Sequence, residues 1–142
     1  MVELKLDAAG VQALIRAGLS AAAKGGVVVE EVRAGYARVR IPFRDSMVRP
    51  GNVISGPTLF TVADTAMYAL VLAHLGPALM AVTADMNIHF LSRAALGDVI
   101  GEARLLKLGR RLAVMEATLS TSAAPGAIVA HATGSYALPA GL

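Results

Sequence analysis

Residues 57–75 constrain the fold more than any other stretch. Pro57 opens the run, where a helix's first turn has no use for the missing N–H, and Gly76-Pro77 closes it. Ser55 or Gly56 can cap the start. Leu59, Phe60, Val62, Ala63, Ala66, Met67, Leu70, Val71, Leu72 and Leu75 point in nearly every direction around the axis. A helix that is apolar all round is a buried helix. At ~1.5 Å per residue it is about 30 Å long, so the rest of the chain must wrap it.

The rest reads mostly as strands. Residues 27–33 and 36–42 form two strands joined by a turn at Ala34-Gly35, with Ala37, Val39 and Ile41 alternating against Arg38 and Arg40. Residues 43–55 read as a loop. Along 82–90, Val82, Ala84, Met86, Ile88 and Phe90 alternate with Thr83, Asp85, Asn87 and His89. Strands over 99–108, 111–120 and 128–135 follow, with turns at Gly109-Arg110 and Ala124-Pro125-Gly126. Such alternation with short turns predicts an antiparallel sheet with one buried face. Residues 7–24 predict one amphipathic helix, capped by Asp7 and stopped by Gly25-Gly26. The 142 residues make a single α+β domain, a long central helix wrapped by antiparallel strands, with an extra helix in front.

Composition narrows the function classes. Hydrophobic residues are 56% and charged residues 16%, a balance that predicts surface buried in an oligomer, a homodimer or a dimer of dimers. There is no cysteine, hence no disulfide framework, thiolate metal site or cysteine nucleophile. The three histidines, His74, His89 and His131, are not at metal-ligand spacing. Aromatics are only 4% and the net charge is +3. That excess is too sparse for a nucleic-acid surface and suits a small anionic ligand. Glu3, Lys5, Asp7 and Arg16 interrupt the first 24 residues, which therefore lack a signal peptide's apolar core. The uncharged run over 50–63 is too short to span a bilayer. The expectation is a soluble cytoplasmic domain without membrane or nucleic-acid partners.

Asp64 stands in the middle of the predicted buried helix, the one carboxylate between Asp45 and Asp85. Its neighbours at i±3 and i±4 are Phe60, Thr61, Met67 and Tyr68, so no local cation neutralises it. An unpaired buried carboxylate costs several kcal/mol, roughly, unless it is hydrogen-bonded or faces a wet cleft. Thr61 or Tyr68 can supply a hydrogen bond; strand backbone or water is the bland alternative. The sharper alternative is a carboxylate held for chemistry. The same helix begins at Ser55-Gly56-Pro57, where free N–H groups and the helix dipole favour developing negative charge. A carboxylate to activate water or attack, and a donor to polarise a carbonyl, are the parts a hydrolase needs.

Three stretches resemble the phenylacetate-pathway (PaaI-like) branch of the hotdog-fold acyl-CoA thioesterases. They are GNVISGPTLFTVADTA at 51–66, VTADMNIHFL at 82–91 and ARLLKLGRRLA at 103–113. The likeness runs over roughly residues 27–138. It implies a hotdog fold and an acyl-CoA thioester substrate, with no cofactor beyond the CoA of that substrate. It implies Asp64 as base or nucleophile, Gly56 as the backbone donor to the thioester oxygen and Thr83 as the hydroxyl that orients water. It also implies a site shared between two subunits of a dimer. Ser55 stands where the family carries histidine, and Pro57 replaces a second glycine, leaving Gly56 as the only donor of that pair.

Around these, Arg49, Asn52, Ser55, Asn87 and Arg93 are candidate substrate-binding residues. Lys107, Arg110 and Arg111 flank a tight turn and suit the phosphates of CoA; the plain alternative is a solvated hairpin. His74 is placed to interact with the helix's terminal carbonyls. A non-catalytic acyl-CoA-binding module on the same fold competes with the hydrolase, and Asp64 weighs against it. A hotdog dehydratase wants a catalytic histidine near the helix start, and none occurs before His74.

Overall fold

The computed structural model describes residues 3–140. Helices α1 (Ala8–Gly18) and α2 (Ser20–Gly25) precede strands β1 (Val28–Arg33) and β2 (Tyr36–Ile41). A loop then carries a 3-10 turn at Asp45–Met47 and a small ribbon of β3 (Val48–Arg49) with β4 (Val53–Ile54). The long helix α3 (Gly56–Leu75) follows, then β5 (Val82–Phe90), β6 (Val99–Leu108), β7 (Leu112–Thr121) and β8 (Ala130–Ala137). Six strands form one antiparallel sheet in the order β1-β2-β6-β7-β8-β5. α3 contacts every one of them. Six strands span about 24 Å, twice the width of a helix with its side chains, so the sheet must curl to keep all of them in contact.

The core lies between α3 and the sheet. Val62, Met67, Leu70 and Leu72 of the helix are fully buried with Val39, Val99, Met115 and Leu119 of the strands. Each such side chain contributes roughly 1.5–3 kcal/mol by leaving water. Gly101 lets the two layers approach: a Cβ there would sit 3.0 Å from Val62 Cγ1 and 3.2 Å from the Val62 carbonyl oxygen. By length and hydropathy alone α3 passes for a membrane span, but 67% of its most apolar window is buried in the fold.

Several expectations are corrected. The front helix is two helices: Leu19 is extended (φ −128°, ψ 103°) between α1 and α2. Gly18 weakens the helix there, and α2 has no fully buried residue to hold it in line with α1. Asp7 does cap α1, accepting the Gly10 N–H at 2.8 Å. The loop over 43–55 is partly ordered as the 3-10 turn and ribbon just described. α3 is not covered all round: Phe60 is 40% exposed, and Pro57 and Thr61 are exposed beside it. β5 lies at the sheet's edge, and its Val82 and Phe90 are more than half exposed.

His74 does not serve the helix terminus as a cation. It is buried, and its Nε2 accepts the Gly35 N–H at 3.1 Å while Nδ1 donates to the Leu70 carbonyl at 3.0 Å. Only the neutral Nδ1–H form makes both bonds, and it ties the β1–β2 turn to α3.

Candidate active site

Asp64 lies on the flank of α3, at the mouth of a cleft of about 440 Å³ lined by Leu19, Thr65, Tyr68, Leu79, Ala81, Val82, Thr83 and Tyr136. Asp64 is half-buried rather than enclosed. Neither the Thr61 nor the Tyr68 hydroxyl is its partner. Thr61 donates to the Pro57 carbonyl and Tyr68 to the Leu79 carbonyl. Instead the Thr83 hydroxyl donates to Asp64 Oδ1 at 2.7 Å, and the Tyr136 hydroxyl donates to the same oxygen at 2.5 Å. Tyr136 also lies 3.0 Å from the Asp64 carbonyl oxygen.

A β-bulge brings Thr83 there. Along β5, Met86, Ile88 and Phe90 pair with Gly134, Ala132 and Ala130, on the helix side of the sheet. Plain alternation would put Thr83 on the opposite face, with Asn87 and His89. The register shifts between Thr83 and Asp85, so that Thr83 pairs with Tyr136 and Asp85 with Ser135. The extra residue turns Thr83 inward, the re-aiming that bulges supply. Gly134 makes room for it: a Cβ at that position would lie 2.8 Å from the Asp85 carbonyl oxygen and 3.2 Å from Met67 Sδ.

The sequence alternation ends the last strand at 135 and leaves Tyr136 out, whereas β8 runs to Ala137. Extending the alternation of Ala130, Ala132 and Gly134 by one step places Tyr136 on the helix side, which is the signal that finds it. It is 3% exposed and stacks on Tyr68 with ring centroids 5.9 Å apart. Burial first, and then the Asp64 carboxylate, push its hydroxyl far above the ordinary value of 10. It therefore keeps its proton and remains a donor.

Gly56 occupies a second cleft, of about 460 Å³, lined among others by Arg49, Leu59, Phe90 and Arg93. Ser55 is the N-cap of α3, accepting the Thr58 N–H at 3.3 Å and bonding the Thr58 hydroxyl at 2.8 Å. The Gly56 N–H has no acceptor among the described residues. The phenyl ring of Phe90 lies against Gly56, within 3.3 Å of where a Cβ would be.

The remaining candidates are dispersed. Asn52 is exposed at the tip of the β3–β4 ribbon with φ 55°. Asn87 is exposed on the outer face of β5, opposite Thr133 and away from Asp64. Lys107, Arg110 and Arg111 are exposed at the β6–β7 turn. That turn sits at the end of the sheet where Leu108, Ala113, Tyr136 and Thr83 follow one another from strand to strand. Arg33, Arg38, Arg40 and Arg104 form ion pairs, whereas Arg49, Arg93, Lys107, Arg110 and Arg111 form none among the described residues. Among the described residues no group of three or more His, Asp or Glu is arranged to hold a metal ion.

Known proteins share both the sequence and the geometry. The profile of the Thioesterase superfamily matches residues 51–123, from the ribbon tip through α3 to the end of β7. A proposed esterase of Halobacterium salinarum is 32% identical over 103 residues, 69% of this chain and 68% of that protein. A proposed esterase of Saccharolobus solfataricus is 30% identical over 92 residues, 64% of this chain, and the match spans 60% of its own length. The crystal structure of a proposed thioesterase from Silicibacter sp. TM1040 superposes with a TM-score of 0.86 at 35% identity, covering 97% of this chain and 95% of that one. A phenylacetic acid degradation-related protein of Ralstonia eutropha JMP134, also a proposed thioesterase, gives 0.75 at 28% identity, covering 84% and 89%. With a matching profile over half its length and the hotdog arrangement of helix and curled sheet over nearly all of it, this chain belongs to the thioesterase superfamily.

Proposed function

We propose that the protein is an acyl-CoA thioesterase of the PaaI-like kind, acting as a homodimer with two composite sites. The observation that carries this reading is Asp64, a carboxylate gripped by two hydroxyls at the mouth of a largely apolar cleft. Asp64 takes a proton from water as the water oxygen adds to the thioester carbonyl carbon. The oxyanion forms against the Gly56 N–H at the positive end of the α3 dipole. Collapse breaks the C–S bond, and the sulfur leaves as the CoA thiol with the proton Asp64 held.

Two features favour a second copy. The edge strand β5 exposes unpaired backbone groups beside apolar side chains, and such edges are normally covered. The exposed face of α3 continues it through Gly56, Pro57, Phe60 and Thr61. On β5, Thr83 lies by Asp64 and Phe90 lies by Gly56. Two β5 strands paired antiparallel about their middles bring Phe90 of each to Thr83 of the other. Gly56 of one protomer then faces Asp64 of its partner. Arg49, Arg93, Lys107, Arg110 and Arg111, without ion pairs among the described residues, are candidates for the CoA phosphates, with Asn52, Ser55 and Asn87 near the dimer seam. A CoA ester as substrate gives the enzyme a cytoplasmic setting.

The test is Asp64→Asn with a panel of aryl- and medium-chain acyl-CoAs. Asn is nearly isosteric and is neither a base nor a nucleophile, so kcat should fall by about 100-fold or more. KM should change much less, because the loss lies in the transition state. The thermal midpoint should hold. A folded Asp64→Asn protein hydrolysing its best substrate at the wild-type rate would remove the catalytic assignment. Tight acyl-CoA binding without turnover by the wild type would make the protein a binding module instead.

A further inference from the structure

We infer that Tyr136 is a positioning residue which, with Thr83, clamps one oxygen of Asp64 so that the other, Oδ2, is the atom that reacts. The inference rests on Asp64 being the catalytic carboxylate and says which oxygen works and what holds it there. Both hydroxyls donate to Oδ1, at 2.7 Å from Thr83 and 2.5 Å from Tyr136. No described side chain or backbone N–H donates to Oδ2. Two strong donors on one oxygen draw charge to it and take up its lone pairs. The carboxylate cannot swing, and its other oxygen is left unclaimed on a residue that lines the cleft.

The grip has rigid supports. Tyr136 is buried on β8, its hydroxyl also meets the Asp64 main-chain carbonyl, and its ring is stacked on Tyr68. Tyr68 is in turn anchored through its own hydroxyl to the Leu79 carbonyl at 3.1 Å. Thr83 is aimed by the β5 bulge. A flexible aspartate would share its charge between rotamers; this one presents a single oxygen in one place, which is what orientation contributes to catalysis. In the reaction, Oδ2 accepts the water proton as the water oxygen bonds to the acyl carbon, and it returns that proton to the departing sulfur. Tyr136 keeps its own proton throughout.

The experiment compares Tyr136→Phe and Thr83→Val with wild type and Asp64→Asn, reading kcat, KM, the pH profile of kcat/KM and the thermal midpoint. Asp64 is the one carboxylate among the described residues lining the cleft, and loss of its base form is what the acid limb is used to read. Each substitution should lower kcat about tenfold, the size of one charge-assisted hydrogen bond, with KM unchanged. Each removes a donor that favours the carboxylate, so the acid limb should move to higher pH. A Tyr136→Phe enzyme with unchanged kcat and acid limb, alongside an inactive Asp64→Asn, would overturn the clamp and leave the thioesterase reading standing. Lower kcat with an unmoved limb would reduce Tyr136 to a packing role and overturn it equally. An active Asp64→Asn would strike the reading beneath it. If Tyr136→Phe does not fold, Thr83→Val decides: an acid limb that stays in place refutes the clamp.

Discussion

The Gly56 N–H and the Asp64 carboxylate ride on the same helix, a little over two turns apart, about 12 Å along its axis. They also open into different clefts. In the proposed composite site a thioester carbonyl meets Gly56 of one protomer and Asp64 of its partner.

That separation gives a complementation test. Gly56→Pro removes the N–H at a place where the first turn tolerates proline and Ser55 already has the extended backbone (φ −70°, ψ 151°) that a following proline requires; its ring must displace Phe90, which lies 3.3 Å from a Cβ there, so its thermal midpoint is measured alongside. Gly56→Pro and Asp64→Asn should each be nearly inactive alone. Co-expressed, they should regain about a quarter of wild-type activity, since half of random pairs are heterodimers with one intact site. No recovery from a mixed dimer verified by two affinity tags would mean that each site is built within one chain.

Arg110 and Arg111, at the turn beyond Tyr136, pair with no carboxylate among the described residues, unlike the arginines of β2. Changing both to Ala should raise KM for an acyl-CoA by tenfold or more, at roughly 1–3 kcal/mol or less per lost contact. KM for the matching acyl-pantetheine, which lacks the nucleotide, should move little. Steady-state kinetics on the two substrates decide it, and equal effects would show that these arginines do not meet the phosphates.

Asp98 ties the start of β6 to the loop that leads into the site. Its Oδ1 accepts the Phe43 N–H and its Oδ2 the Arg40 guanidinium, both at 2.8 Å. The Phe43 N–H first, and Arg40 second, hold its carboxyl below the ordinary value of 3.8. A depressed folded value means stability that is present above pH 3.8 and lost as pH falls through the folded value. The side chain is about one-third exposed, so the contribution is screened to about 1 kcal/mol or less. Asp98→Asn should melt about 2–4 °C below wild type at neutral pH. The gap should close on acidification below pH 3.8; a gap that persists there would deny the charge any part.

The central helix, its ends and the six strands of the sheet were legible in the chain because apolar periodicity and Pro-Gly punctuation act locally. Asp64 was legible too, as a carboxylate with no cation at helical spacing inside an apolar run. Its partners were not legible in the spacing: Thr83 came only with the family resemblance, as a hydroxyl for water, and Tyr136 did not come at all. Thr61 and Tyr68 are near in sequence, yet their hydroxyls are spent on main-chain carbonyls. Thr83 carries an odd number in a strand whose even-numbered residues face the helix, and Tyr136 lies 72 positions from Asp64. A bulge changes which face a residue occupies without altering the alternation of the letters around it. Its position depends on Gly134 admitting the Asp85 carbonyl from the neighbouring strand. Local sequence determined that a carboxylate would stand on a buried helix. Only the pairing of β5 with β8 decided which hydroxyls would hold it, because strand register is set by contacts between segments far apart in the chain.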